Sequence, residues 1–110
     1  MAENIQAFNP MYGEGQLVSV TGTAQQVNID GTAPNVRIAN NSANVIFARI
    51  TDSRTAAANQ QAQVNVDLAV LPNTAPVVTK GQNQNVISLI GAVAGPSSVY
   101  VQPGIGLWSN

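Results

Sequence analysis

The residues that could carry acid–base or metal chemistry are few in this sequence, and they do not cluster. Histidine and cysteine are absent, which removes the commonest general base and the thiolate ligands of zinc. The carboxylates fall in the first residues, in turn-like stretches and in one strand-like run: Glu3, Glu14, Asp30, Asp52 and Asp67. Asp52 and Asp67 are the one pair that could be proposed to face each other as glycosidase carboxylates do. A structural role is the better explanation of each residue: Asp52 would form a turn and Asp67 would face solvent on a strand. We therefore expect no enzymatic activity, no metal site and no cofactor.

Phosphate chemistry and nucleic-acid binding are also disfavoured. Gly13-Glu14-Gly15 lacks the preceding strand and following helix that a phosphate-binding loop requires, and we interpret it as a hinge. The basic residues do not cluster in the sequence (Arg37, Arg49, Arg54 and Lys80), and the formal net charge is -1. Binding to phosphates needs concentrated positive charge, so we expect no nucleic-acid partner.

The remaining polar residues suit the recognition of neutral ligands. They are mainly Asn, Gln, Ser and Thr, whose amides and hydroxyls both donate and accept hydrogen bonds. A carbohydrate-binding module or adhesin is therefore one candidate function, with Tyr12, Tyr100 or Trp108 as its aromatic platform. Packing at a strand edge competes as the explanation of Tyr100. For Trp108 the competing roles are a plug over the open end of the fold and an anchor buried in a partner.

The composition indicates one domain with an unusually neutral surface. A chain of 110 residues can bury a single core. Only 8% of its residues are charged, against about a quarter in ordinary globular proteins. So little charge gives weak repulsion between molecules, and we interpret the chain as one that works packed against partners.

No feature of the sequence predicts a leader or a membrane segment. The opening MAENIQAFNP lacks the basic end and apolar centre of a signal peptide. No apolar run approaches the roughly 18 residues of a membrane helix. We expect synthesis in the cytoplasm and no membrane partner.

From Leu17 onward, short runs of alternating apolar and polar residues are separated by turn residues. The clearest alternation covers residues 62–71 and predicts a half-buried strand. The pattern as a whole predicts about eight strands, with turn signals every eight to twelve residues. We predict an all-β fold, an antiparallel two-sheet sandwich of the jelly-roll type, with an immunoglobulin-like sandwich as the second choice. The other predicted strands cover residues 17–21, 25–29, 75–80, 84–90 and 97–102 and two runs within residues 35–51.

Residues 35–51 predict a β-hairpin at the centre of the fold. Its loop would be residues 40–42, whose short side chains tolerate left-handed backbone, and Val36 would lie opposite Ile46. One face of the hairpin would join the core: Val36, Ile38, Ile46, Ala48 and Ile50. The other face would be mixed: Arg37, Val45, Phe47 and Arg49.

Two segments lie outside this strand pattern. Residues 1–16 predict an extended N-terminal arm that is too apolar for a solvated tail, and residues 17–110 predict the β-sandwich domain. Residues 54–61 predict a loop with one helical turn, for which Asp52 or Ser53 could serve as the N-cap.

Four stretches of the sequence together resemble a known family. They are IQAFNP (5–10), VRIANNSANVIFARIT (36–51), LAVLPNTAPVV (68–78) and SSVYVQPGIGLW (97–108). They are similar to the small jelly-roll cement, or decoration, proteins of tailed bacteriophages, and the resemblance spans nearly the whole chain. It implies a structural protein of the virion, on the outer capsid surface, that clamps neighbouring subunits of the major capsid protein. It also implies a homodimer or other homo-oligomer.

A capsid-binding protein of this kind would use its arm, the mixed hairpin face and its tail as contacts. The predicted partner-binding residues are Ile5, Phe8, Tyr12, Arg37, Phe47, Arg49, Leu107 and Trp108. Interfaces made of amides and small apolar side chains depend on shape, so we expect binding to depend weakly on salt.

Overall fold

Alternating apolar and polar residues fold most of this chain into β-strands. The computed structural model describes residues 8–81 and 83–106, and the side chains of all of these except 57 and 58. This part of the chain contains nine strands and one helical turn. The strands form two antiparallel sheets that pack face to face around one apolar core. The predicted all-β, two-sheet sandwich is confirmed.

Each sheet is built from strands that are distant in sequence. The first sheet contains β1 (Asn9–Pro10), β2 (Gln16–Val20), β4 (Asn35–Asn40), β7 (Val77–Thr79) and β9 (Ser97–Ile105). The second contains β3 (Gln25–Asn28), β5 (Ile46–Thr51), β6 (Leu68–Val70) and β8 (Val86–Gly91), and a one-turn helix, α1 (Ala57–Gln60), follows β5. The orders are β1–β9–β4–β7, with β2 also paired to β9, and β3–β8–β5–β6.

The predicted hairpin of residues 35–51 is wrong, because its two arms lie in different sheets. β4 pairs with β7 and β9, whereas β5 pairs with β6 and β8. Val36 therefore stands opposite Val78 and Pro103 instead of Ile46. Residues 41–45 cross from one sheet to the other. Alternation suits this arrangement equally well, because the apolar faces of β4 and β5 meet across the sandwich.

The core lies between the sheets and contains the residues that were predicted for the inner face of residues 35–51. Val36, Ile38 and Ile46 are completely buried, Ala48 is 3% exposed, and Ile50 packs against the same cluster. Other strands contribute Val18, Val20, Val70, Ile87, Leu89, Val99 and Val101. The predicted core face is confirmed, and the error concerns only which strands pair.

The segment predicted as the clearest strand, residues 62–71, is a strand only at β6. Residues 63–67 instead form a turn that Gln63 and Asp67 close from both ends. Asp67 N donates to Gln63 O at 3.3 Å, and Gln63 N donates to Asp67 Oδ2 at 2.7 Å. Asn65 adopts left-handed backbone with a φ of 64°, which asparagine tolerates better than most residues. The turn leaves Val64 and Val66 exposed, at 36% and 65%, so these two predicted core residues do not reach the core.

The helical turn predicted within residues 54–61 is confirmed as α1, but neither predicted residue caps it. The N-cap is Ala56, which makes no side-chain hydrogen bond. Asp52 Oδ1 instead accepts hydrogen bonds from Arg54 N at 2.9 Å and Thr55 N at 3.0 Å. This aspartate therefore stabilises the turn that precedes the helix.

Residues 8–16 run along the edge of the first sheet. β1 pairs with the C-terminal end of β9, and Met11 N donates to Pro103 O at 3.0 Å. The Phe8 ring lies on Gly104, where an added Cβ would come within 2.7 Å of the ring. Only glycine allows this close approach, so the pair anchors the described part of the N-terminal segment.

Candidate functional site

The three predicted contact residues of the mixed hairpin face do not lie together. Arg37 is on β4 in the first sheet, while Phe47 and Arg49 are on β5 in the second. All three alternate with core residues, so they point away from the core. Arg37 therefore lies on one outer face of the sandwich, and Phe47 and Arg49 lie on the opposite one.

The connection between β5 and β6 covers Phe47 and Arg49. Phe47 is only 6% exposed, and α1 packs on β5 and β8. Arg49 Nε lies 2.9 Å from Asp67 Oδ1 in an ion pair, and Arg49 Nη1 donates to Asn59 O at 3.1 Å. Asp67, which we predicted to face solvent, is instead half-buried in this pair. A partner could not reach Phe47 without displacing the connection.

Arg37 is half-buried between the strands that flank β4. It stands opposite Val77 on β7 and Gln102 on β9. Its Nε is buried and has no hydrogen-bond partner in the described part of the chain. An unpaired buried donor costs free energy, so Arg37 is a predicted contact residue with unused hydrogen-bonding capacity.

The predicted contacts near the chain ends fall partly within the structure. Phe8 is half-buried at the sheet edge, and Tyr12 is 87% exposed. Ile5, Leu107 and Trp108 lie outside the described residues. Of the two described residues, Phe8 and Tyr12, a partner could reach Tyr12 without any rearrangement.

The three described aspartates are bound into local turns and one ion pair, whereas the Glu14 side chain is exposed. Asp30 Oδ1 accepts hydrogen bonds from Thr32 Oγ1 at 2.6 Å and Thr32 N at 2.7 Å, and these bonds lower the pKa of Asp30. Asp52 holds the turn before α1, and Asp67 pairs with Arg49. Within residues 8–81 and 83–106 no three His, Cys, Asp or Glu residues stand close enough to hold a metal ion.

Lys80 is a buried basic residue that the sequence analysis did not single out. It is 5% exposed, and its Nζ donates to Gly31 O at 3.2 Å. Burial lowers the pKa of this amine, and the charge on Asp30 partly opposes the shift. The bond to a backbone carbonyl indicates a structural role, because it joins the β3–β4 connection to the end of β7.

A groove crosses the outer face of the first sheet above Ala39. Tyr100 on β9 stands opposite both Ala39 on β4 and Leu17 on β2. The groove has a volume of about 400 Å³, and it is lined by Leu17, Ala39, Asn40, Asn41, Asn73, Thr74, Ala75, Ser98 and Tyr100. We call it the Ala39 groove. The sequence analysis missed it because three strands and the β6–β7 connection together form it, and Tyr100 was its only signal.

A second surface feature is an aliphatic patch beside β6, at the edge of the second sheet. Four large side chains there are solvent-exposed: Val64 (36%), Val66 (65%), Leu68 (45%) and Leu71 (58%). We call it the β6 patch. Between residues 61 and 79 the only charged side chain is Asp67, and Arg49 neutralises it. The patch is therefore both apolar and uncharged.

These surfaces, rather than a cluster of reactive groups, are the functional candidates in the described residues. None of the helical structure there is long and apolar enough to cross a membrane. The chain matches no protein-family model and no curated protein.

Proposed function

We propose that this chain is a structural virion protein that binds the outside of a bacteriophage capsid and stabilises contacts between major capsid subunits. The resemblance to cement proteins supports this proposal, as do the low charge and the exposed apolar surface. The function requires shape and repeated contacts, and it requires no reactive side chain.

The strand order supports the jelly-roll type that such proteins have. Its paired strands are β2 with β9, β3 with β8, β4 with β7, and β5 with β6. Strands β2 to β5 thus pair, in order, with β9, β8, β7 and β6. A long antiparallel ribbon that is rolled into two sheets produces this pairing, and such rolled sandwiches are the jelly rolls of capsid and lectin domains.

The β6 patch is the observation that carries the proposal. Large exposed apolar surfaces on soluble proteins mark sites of association, and the β6 patch places four exposed aliphatic side chains within residues 64–71. Leu68 and Leu71 are about half exposed, and covering them would remove apolar area from water at ~25 cal/mol per Å². The turn at residues 63–67 and the edge strand β6 present these side chains outward.

Association with the shell would occur in many copies. We propose that the protein binds as a homodimer or other homo-oligomer, after synthesis in the cytoplasm of the host, and that its place in the virion is the outer capsid surface. Repeated contacts raise the effective affinity by orders of magnitude without any single tight site. Because its surface carries so few charges, the binding should change little between low and high salt.

Co-sedimentation with undecorated, expanded shells of the same phage tests the proposal. A Leu68→Ser, Leu71→Ser double variant should show at least about tenfold weaker binding. Val93→Ser is the matched control, because Val93 is 47% exposed in the connection between β8 and β9 and lies outside the patch. Wild-type protein that does not sediment with shells would overturn the proposal.

A truncation tests the predicted contribution of the arm. Removal of residues 1–7 takes away Ile5 and leaves β1 and the Phe8–Gly104 contact in place. We expect lower occupancy on shells and an unchanged urea midpoint. Removal of residues 1–12 would be a poorer test, because it also deletes β1. Unchanged occupancy after the shorter truncation would exclude Ile5 as a contact.

A further inference from the structure

We propose that the Ala39 groove binds a neutral carbohydrate, with Tyr100 as its aromatic wall. This inference does not rest on capsid attachment, because the observation that carries the attachment proposal is the β6 patch and the groove lies on the other sheet. It assigns a ligand class to the groove and defined roles to its residues.

The floor of the groove is low because Ala39 is small and its neighbours are large. Tyr100 rises on the β9 side, with 44% of its surface exposed. On the other side, the β6–β7 connection is held against β4 by the bond from Asn40 N to Thr74 O, at 2.8 Å. The resulting volume of about 400 Å³ falls within the range of small-molecule sites.

The groups around the groove are polar but uncharged. Asn41 and Asn73 place exposed amides at the rim, and Ser98 adds a hydroxyl. The Thr74 hydroxyl donates to Leu71 O at 2.7 Å, so it offers a ligand only an acceptor. Amides and hydroxyls donate and accept hydrogen bonds, which matches the alternating donors and acceptors of sugar hydroxyls. Among residues 8–81 and 83–106, no Asp, Glu, Lys or Arg lines the groove, so a charged ligand would find no counter-charge there. The Tyr100 ring offers an apolar face with a polar tip.

The backbone argues against an extended peptide as the occupant. Peptides that bind to sheets add a strand at an open edge and use its free backbone groups. β9 pairs with β2 and β4, and β4 pairs with β9 and β7, so the two central strands are already bonded on both sides. Recognition in the groove must come from side chains. A compact ring with hydroxyls at its edge fits this requirement.

Gly15 helps to set the position of the aromatic wall. A Cβ added at Gly15 would overlap the Tyr100 hydroxyl and come within 2.5 Å of Cζ. The ring of Tyr100 therefore occupies the space that a side chain at position 15 would fill. A Gly15→Ala substitution should displace the Tyr100 ring without removing it. The variant therefore tests the position of the ring, whereas Tyr100→Ala tests its presence.

Amide chemical shifts of the full chain, titrated with a panel of sugars, test the proposal. The panel contains neutral hexoses, N-acetylhexosamines and their disaccharides. We expect saturable shifts at Ala39, Asn41, Tyr100 and residues 73–75 with at least one sugar, and none with a control tetra-alanine peptide. Absence of saturable binding across the panel would overturn the inference, as would saturable binding of the peptide in place of the sugars.

Variants separate the groove from other surfaces. Ala39→Leu fills the groove and Tyr100→Ala removes its wall, so each should weaken sugar binding by about tenfold or more. Gln26→Leu is the matched control, because it adds the same side chain at an exposed position of β3 in the second sheet and should leave the affinity unchanged. Equal affinity in Ala39→Leu and wild type would place the sugar elsewhere and overturn the assignment. Binding of Ala39→Leu to capsid shells should stay at the wild-type level. A loss of sugar binding in this variant can therefore be distinguished from a loss of capsid attachment.

Discussion

Replacing Asn40 by alanine should destabilise the sandwich more than any other single change in the β4–β5 crossover. Asn40 is 1% exposed at the end of β4. Its Nδ2 donates to Asn44 O at 2.7 Å and Val70 O at 3.1 Å, with Leu71 O at 3.3 Å sharing the second hydrogen. One side chain thereby joins the crossover to the end of β6 in the opposite sheet.

The size of the effect follows from these bonds. Alanine removes two amide N–H donors, each worth about 1 kcal/mol net, and strands the buried carbonyl of Val70 at a further cost of about 1–2 kcal/mol. It also removes the acceptor for Ser42 Oγ, which now lies 2.7 Å from Asn40 Oδ1. We expect a total loss of about 2–4 kcal/mol in the free energy of unfolding.

Urea unfolding measured by circular dichroism gives this free energy from the midpoint and slope. Asn41→Ala is the matched control, because Asn41 adjoins Asn40 and its side chain is exposed. This substitution should change the free energy of unfolding by less than about 0.5 kcal/mol. The reasoning would be refuted if Asn40→Ala were as stable as Asn41→Ala. Such a result would mean that the carbonyl of Val70 finds another partner without loss, since that of Leu71 already accepts from Thr74 Oγ1 at 2.7 Å.

An aspartate at position 40 distinguishes lost hydrogen bonds from lost volume. Asn40→Asp has nearly the same shape, but an ionised carboxylate would place only acceptors beside the carbonyls of residues 44 and 70. Burial and this repulsion should raise the pKa of the new carboxyl in the folded state. The variant should therefore lose stability as the pH rises above about 4, where the carboxyl ionises in the unfolded chain. An Asn40→Asp deficit that is constant from pH 3 to pH 7 would contradict this account.

Three further substitutions test other parts of the structure. Burial lowers the pKa of Lys80, so the unfolded chain binds more protons than the folded chain, and stability should rise as the pH approaches the ordinary lysine value of 10.5. The urea midpoint of Lys80→Met should not rise over this pH range, and an equal rise in the variant and the wild type would contradict the prediction. The Thr32 bonds lower the pKa of Asp30, so stability should fall as the pH drops below 3.8, and Asp30→Asn should flatten that acid limb in the same measurement. Phe47→Ala should lower the free energy of unfolding by about 3–5 kcal/mol because its ring is buried, whereas Val93→Ala at an exposed site should lower it by less than about 1 kcal/mol. Similar losses of stability in the two variants would show that the β5–β6 connection does not cover Phe47.

The candidate surfaces were less predictable than the core. Tyr12 was expected as an exposed contact and is exposed, but Phe47 was expected on an accessible face and is covered. A polar and apolar mixture on the outer face of a strand cannot reveal whether a later loop packs over it. The β6 patch was hidden for the opposite reason, because its alternation predicted burial. The local bonds between Gln63 and Asp67 produce a turn there instead.

The sequence by itself determined the fold class and which strand faces enter the core. Alternation with a period of two identifies the buried face of a strand regardless of its neighbours, and this is why Val36, Ile38 and Ile46 were assigned correctly. The prediction of an unusually neutral surface likewise rests on composition alone, because only 8% of the residues are charged. Only the tertiary structure decided that β4 and β5 lie in opposite sheets, and that Ala39 and Tyr100 form a groove. Strand pairing depends on how distant segments close two sheets around one core, and periodicity carries no information about the partner.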